Sequence, residues 1–114
     1  MKIDSYKFGH IVINGQEYRS DVIIYHDRVD ATWWRKEEHR LIPSDITDVL
    51  NAQPDVLIIG TGYAGVLIVP KEIAAHIATH SIEVRVEKTP KAVELYNELL
   101  GSKKYVIAAL HVTC

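Results

Sequence analysis

The sequence has a single cysteine, Cys114, at its last position. One thiol cannot close an intrachain disulfide, which excludes a disulfide-stapled secreted scaffold and suits a reducing compartment. No apolar run approaches the ~20 residues that a membrane-spanning helix needs, and no charged-then-apolar leader opens the chain. We therefore expect a cytoplasmic protein with no membrane span.

An excess of charge of either sign is also missing. Thirteen basic and fifteen acidic side chains give a formal net charge of −2. A domain that binds nucleic acid usually carries a basic face, so we expect no nucleic-acid partner. The hydrophobic fraction of 47% and the length of 114 residues are ordinary for a globular protein and predict a single domain over residues 1–114.

The first third of the chain has the pattern of antiparallel strands. Asn14-Gly15 accepts the positive φ angles of a type I′ turn and joins predicted strands at 10–13 and 16–19. Two further strands are predicted at 21–25 and 29–32, the second pairing back with the first.

Helix and strand patterns alternate from residue 44 onward. Ser44 is the expected N-cap of the first helix, Pro70 the first residue of the second, and Leu100 part of the buried face of the third. Helices are predicted at 44–52, 70–80 and 89–100, and strands at 56–59, 82–86 and 105–112. This order predicts an α/β fold with three layers, in which helices flank a central mixed β-sheet behind an N-terminal antiparallel hairpin region.

The loop that follows the strand at 56–59 matches the dinucleotide fingerprint G-x-G-x-x-G. In that motif the glycines open a helix whose N-terminus holds the pyrophosphate. Here residues 66–69 are mostly β-branched and Pro70 would break such a helix, so we expect a structural turn, extended chain to residue 69 and no bound cofactor. Amide groups of the turn could still hold an anion. The candidate ligand-binding residues are Gly60, Thr61, Gly62, Tyr63, Gly65 and Thr89, with Lys36 or His39 reaching over them.

The segment 33–40 combines two adjacent tryptophans with several charges. Neighbours in an extended chain point in opposite directions, so both tryptophans cannot easily be buried. One interpretation is a protein-interaction site formed by Trp33, Trp34 and Arg35, since tryptophan and arginine are enriched in interface hot spots. The other places one tryptophan in the core and the second over a hydrophobic edge, with Arg35, Lys36 and His39 only solvating it.

Three other residue patterns give little indication of a metal site or a catalytic site. Glu72, His76 and His80 lie four residues apart on one helical face, but the apolar face of that helix directs them to solvent, and we predict no metal site. We expect His111 to be a hydrogen-bonded core histidine, and the terminal Cys114 is poorly placed to act as a nucleophile. No catalytic signature is present, which leaves enzymatic activity open.

Together, several segments of the chain resemble a small domain family that was first defined from a hypothetical protein of a methanogen. The residues that carry the resemblance are Tyr6-Lys7-Phe8-Gly9, the Asn14-Gly15 hairpin, 18–24, Trp34-Arg35 with His39, 56–65, 87–90 with Ala92, Tyr96-Asn97 and 108–114. The family includes a mitochondrial complex I assembly factor and an adipogenesis-associated protein. The resemblance implies a three-layer fold with a mixed sheet and no established catalysis.

Two functions follow as hypotheses. The first is a non-catalytic protein-interaction or assembly module that binds a partner protein through the tryptophan segment, with a homodimer as one form of that interaction. The alternative is a protein that binds a small molecule or an anion, and that could be an enzyme, with its pocket at the loop 60–65.

Overall fold

The fold is described from a computed structural model of residues 1–114. It contains two β-sheets and three α-helices. The strands are β1 (Ile3–Lys7), β2 (His10–Ile13), β3 (Gln16–Tyr18), β4 (Val22–Ile24), β5 (Val29–Asp30), β6 (Val56–Gly60), β7 (Glu83–Glu87) and β8 (Val106–Leu110). The helices are α1 (Thr47–Ala52), α2 (Lys71–Ala78) and α3 (Thr89–Leu99), and a short 3-10 helix (Pro43–Ile46) leads into α1.

The N-terminal strands form the predicted antiparallel region. Asn14 and Gly15 have φ angles of 52° and 83°, as a type I′ turn requires, and they join β2 to β3 with Ile13 opposite Gln16. β1 adds to the other edge of β2, giving the order β1-β2-β3. Asn97 links this sheet to α3, because its side chain accepts a hydrogen bond from the Ile3 N–H and donates one to the Ile3 carbonyl.

The second sheet is mixed, as predicted, with the strand order β5-β4-β8-β6-β7. β6 runs parallel to both β7 and β8, whereas β4 is antiparallel to β8 and to β5. Every residue of β6 and β8 is buried, which is why both strands read as continuous apolar runs rather than as alternating patterns.

Two apolar clusters on opposite faces of this sheet make the three layers. Leu57, Ile59 and Ile107 face the side that carries α1 and α2. Ile58 and Ala108, one position along the same strands, face α3 and the small sheet. The alternation follows from the two-residue period of a strand, and it confirms the predicted three-layer α/β architecture.

Three local predictions were wrong. Ser44 does not cap a helix, because Pro43 begins the 3-10 turn and the Asp45 carboxylate accepts the Ile42 N–H at 2.8 Å. Pro70 precedes α2 and does not belong to it. Leu100 is exposed, since α3 ends at Leu99 and the next residue lies beyond the last turn that packs on the sheet.

The strand register also places two polar residues together at one edge of the sheet. Val22 at the start of β4 pairs with Leu110 at the end of β8. The preceding residue Asp21 and the following residue His111 therefore lie side by side, next to the loop that leaves the end of β6.

Candidate functional site

The two tryptophans occupy opposite environments. Trp33 is 6% exposed, and its indole N–H donates to the Asp45 carbonyl at 3.0 Å. Trp34 is 77% exposed. The prediction that adjacent tryptophans would not both be buried is confirmed. Trp34 does not cover a hydrophobic edge, because its side chain remains largely in solvent.

Arg35 is buried, contrary to the interpretation that it only solvates the tryptophan segment. It is 7% exposed, its Nε–H donates to the Glu38 carbonyl at 3.2 Å, and its guanidinium carbon lies 4.6 Å from the centroid of the Trp33 ring. Its Nη2 donates to Asp21 Oδ2 at 2.7 Å. Burial of this cation is therefore compensated by one carboxylate, one carbonyl and one aromatic face.

The Asp21 carboxylate is the acceptor around which Arg35 and His111 are arranged, and these three residues are called the Asp21 cluster below. Oδ1 accepts the Val112 N–H at 2.8 Å, and Oδ2 accepts from both His111 Nδ1 at 2.8 Å and Arg35. Burial alone raises the pKa of the Asp21 carboxyl, but the hydrogen bonds from His111, the Val112 N–H and Arg35 lower that pKa further than burial raises it. Asp21 is therefore ionised at neutral pH.

An ionised carboxylate only accepts, so its bond with His111 assigns a proton to Nδ1 of that histidine. Arg35 Nη2 lies 3.1 Å from the same Nδ1, and because neither atom can then accept, this is a close approach and not a hydrogen bond. His111 is 2% exposed and its Nε2 has no partner. The prediction that His111 is a core residue is confirmed. The expectation that its side chain would be fully hydrogen-bonded is wrong, because Nε2 has no partner.

His39 is the second histidine at this edge. Its ring lies 5.7 Å from that of His111 at an interplanar angle of 70°, and its Nε2 is likewise buried without a partner. The Ile68 N–H donates to the His39 carbonyl at 2.8 Å and so fixes the histidine's backbone. The structure thus places His39 beside the Asp21 cluster, next to its member His111.

A cleft of about 510 Å³ opens beside the Asp21 cluster. Its lining is mostly polar and includes both Trp34 and Lys36, which are exposed, as well as Arg35 and His111, which are buried. The full set of lining residues is Arg19, Ser20, Asp21, Trp33, Trp34, Arg35, Lys36, Glu38, His111, Val112 and Thr113. The glycine loop does not contribute to it.

The glycine loop is packed against the end of the chain. A Cβ on Gly60 would come within 2.8 Å of both Leu110 Cδ2 and Thr89 Oγ1, and one on Gly62 would collide with the carbonyl group of Cys114. These contacts support the interpretation of the loop as a structural turn. No helix follows Gly65, since α2 begins only at Lys71.

The amides of this loop already have acceptors within the chain. Six of the seven N–H groups of residues 61–67 donate internally, among them those of Gly62 to Thr89 Oγ1 at 2.8 Å, Tyr63 to Thr113 at 2.7 Å and Val66 to Cys114 at 3.0 Å. The structure does bring Thr89 to the loop, but as a buried hydroxyl that also donates to the His111 carbonyl. An anion at this loop would have to displace these bonds.

Sequence reasoning missed Asp21 as a site residue. The available signal was its position directly before the apolar run Val22-Ile23-Ile24, together with His111 at the end of the last apolar strand. Only the antiparallel register of β4 and β8 makes the two adjacent, and register is not evident from either segment alone.

Comparison with known proteins gives the chain a family. A profile of the family described as "Protein of unknown function (DUF498/DUF598)" matches residues 3–111. The chain belongs to the DUF498/DUF598 family. This confirms the resemblance found in the sequence, and a solved structure named MT938, from a methanogen, is 27% identical over 99% of this chain and 98% of that one, with a TM-score of 0.81.

Two further structures share the fold of this DUF498/DUF598 protein. A conserved hypothetical protein from Pyrococcus horikoshii OT3 is 34% identical over the whole of both chains, with a TM-score of 0.86. A protein described as an outer membrane protein from Bartonella henselae is 26% identical over 98% of this chain and 94% of that one, with a TM-score of 0.82.

None of the three α-helices is both long and apolar enough to cross a bilayer. The predicted cytoplasmic location of the chain stays a prediction.

Proposed function

We propose that this DUF498/DUF598 protein is a non-catalytic protein-interaction module whose partner contacts Trp34. The observation that carries the proposal is the 77% exposure of Trp34 between two buried neighbours, Trp33 and Arg35. A tryptophan side chain offers one of the largest apolar surfaces of any residue, and burial of that surface in a partner is a strong source of binding energy.

The backbone on both sides of Trp34 is held in place, which favours binding. Trp33 is fixed by its hydrogen bond to the Asp45 carbonyl, and Arg35 by its bonds to Asp21 and the Glu38 carbonyl. A side chain presented from a fixed backbone loses less conformational entropy when it is buried by a partner. The family resemblance to an assembly factor agrees with this role.

A second exposed aromatic group provides a matched control. Phe8 is 55% exposed and makes an edge contact with Tyr63, with ring centroids 6.2 Å apart. It lies outside the tryptophan segment and does not line the cleft beside the Asp21 cluster. Removal of Phe8 therefore tests whether any exposed aromatic surface is sufficient for partner binding.

The test is affinity capture of the tagged protein from its host at native levels, with wild-type, Trp34→Ala and Phe8→Ala chains compared by quantitative mass spectrometry. We expect Trp34→Ala to lose the partner and Phe8→Ala to keep it, with unfolding free energies within about 0.5 kcal/mol of wild type for both variants. Retention of every captured protein by a folded Trp34→Ala chain would refute the proposal. Capture of only a second, untagged copy of the chain would identify the partner as the chain itself.

A further inference from the structure

The Asp21 cluster has more hydrogen-bond donors than acceptors. Both oxygens of the Asp21 carboxylate are used, Oδ1 by the Val112 N–H and Oδ2 by His111 and Arg35. Arg35 Nη1 is buried and has no acceptor, although it carries two N–H donors. A buried guanidinium nitrogen without an acceptor is costly, and the chain supplies no further acceptor to it.

The cleft beside the cluster has the size of a small-molecule site and a mostly polar lining. Its volume of about 510 Å³ lies within the usual range for ligand pockets, and Arg35 forms part of its wall. Ser20 and Thr113 add hydroxyl groups to the lining, and Lys36 stands exposed at its rim.

The cationic side chains of the lining outnumber its carboxylates by three to two. Arg19, Arg35 and Lys36 are cationic, against the carboxylates of Asp21 and Glu38. Asp21 forms an ion pair with Arg35 at 2.7 Å. Arg19 forms an ion pair at 2.9 Å with Glu17, which lies outside the cleft. Lys36 has no ion-pair partner within 4.0 Å, and neither has Glu38.

From these observations we infer that the cleft binds an anionic group, a carboxylate or a phosphate on a small molecule, through the Lys36 ammonium and the guanidinium of Arg35, which would turn its buried Nη1 toward the anion. Guanidinium N–H groups match the oxygens of both anions, and a neighbouring ammonium adds charge without demanding a fixed geometry. The site lies apart from the loop 60–65, and it goes beyond partner binding because it needs no second protein.

The experiment is a titration of the full ¹⁵N-labelled chain, followed by the indole N–H signals of both tryptophans and the Arg35 Nε–H signal. Sodium phosphate and sodium succinate are added in separate arms, and sodium chloride at matched ionic strength is the third arm. We expect saturable, millimolar binding of phosphate, succinate or both, with no equivalent shift in chloride. The arm that saturates identifies the oxyanion class.

Two variants assign the binding to the named groups. Lys36→Ala removes only an exposed side chain and is expected to weaken binding about three- to tenfold, whereas Lys71→Ala, which lies at the start of α2 outside the cleft, leaves affinity unchanged. Arg35→Lys, tested if it folds, is expected to abolish saturation. Absence of saturation in both oxyanion arms, or equal affinity in Lys36→Ala and Lys71→Ala, would overturn the inference, and neither outcome bears on capture of a protein through Trp34.

Discussion

Asp21 and His111 face each other across the ends of β4 and β8, with 2.8 Å between the carboxylate Oδ2 and the imidazole Nδ1. Arg35 joins the same oxygen from the tryptophan segment at 2.7 Å. Three distant parts of the sequence are thereby fixed to one carboxylate. The exposed Trp34 stands one residue from this anchor, so the position of the proposed binding side chain depends on a buried ion pair.

Asp21→Asn should destabilise the fold by about 2–4 kcal/mol, because it leaves the buried Arg35 cation without its counter-ion. Chemical denaturation at pH 7 measures this change. Asp27→Asn is the control, since Asp27 pairs with Arg28 only at the surface, and it should cost less than about 1 kcal/mol. Equal costs for the two variants would show that the Asp21 cluster does not stabilise the fold.

The stabilisation from Asp21 should disappear in acid. The pKa of its carboxyl is lower in the folded state than in the unfolded chain, so the contribution is present above the unfolded pKa, ~3.9, and is lost as the pH falls through the folded pKa. The difference in unfolding free energy between wild type and Asp21→Asn should be constant near neutral pH and shrink below pH ~4. Urea denaturation across this pH range measures the difference in unfolding free energy. A difference that grows in acid would show that folding does not lower the pKa of the Asp21 carboxyl.

Gly62→Ala should be far more damaging than Gly65→Ala. Gly62 has a φ of +106°, and an added Cβ would meet the Cys114 carbonyl and lie 2.9 Å from His111 Cδ2, so the end of the chain must move. Gly65 has a φ of +78°, but its added Cβ would meet only the flexible side chain of Lys88 at 3.2 Å. We expect a loss of more than ~3 kcal/mol for Gly62→Ala and about 1 kcal/mol for Gly65→Ala, measured by thermal and chemical unfolding.

Tyr96→Phe should extend stability at high pH. Burial raises the pKa of the Tyr96 hydroxyl to about 12. The stability of the fold that depends on a neutral Tyr96 is therefore fully present below the unfolded pKa of about 10 and is lost as the pH rises through the folded pKa. Phenylalanine cannot ionise, and the alkaline unfolding midpoint should therefore rise. Tyr6, whose pKa burial also raises to about 12, still titrates in this variant, so the rise should be partial. An unchanged midpoint would exclude Tyr96 as a source of alkaline unfolding.

Much of the fold could be predicted because local patterns determine it. The Asn14-Gly15 turn, the apolar strands β6 and β8 and the breaking effect of Pro70 each reflect backbone chemistry that is visible in a few neighbouring residues. Helix starts were less accurate. Ser44 was expected to cap the first helix, but it lies inside the 3-10 turn Pro43–Ile46, and the cap bond joins the Asp45 carboxylate to the Ile42 N–H before that turn.

The candidate site could be predicted only in part. The alternation of neighbours in an extended chain correctly separated Trp33 from Trp34, but it could not show which would be buried. The role of Arg35 and the inclusion of Asp21 depend on contacts between residues 14 and 90 positions apart in sequence. The contact of Asp21 with His111 arises from strand register, and that of Arg35 with Asp21 from the path of a segment outside the strands and helices, and neither is encoded in a single segment.

The most direct test of the proposed function places a photo-activated benzoylphenylalanine at position 34 in the host and, as a control, at position 86. Val86 is also exposed but lies on β7, at the far edge of the sheet from β5. We predict a discrete cross-linked adduct from position 34, either to another protein or to a second copy of the chain, and none from position 86. Absence of an adduct at position 34, or the same adducts from both positions, would contradict a binding role for Trp34.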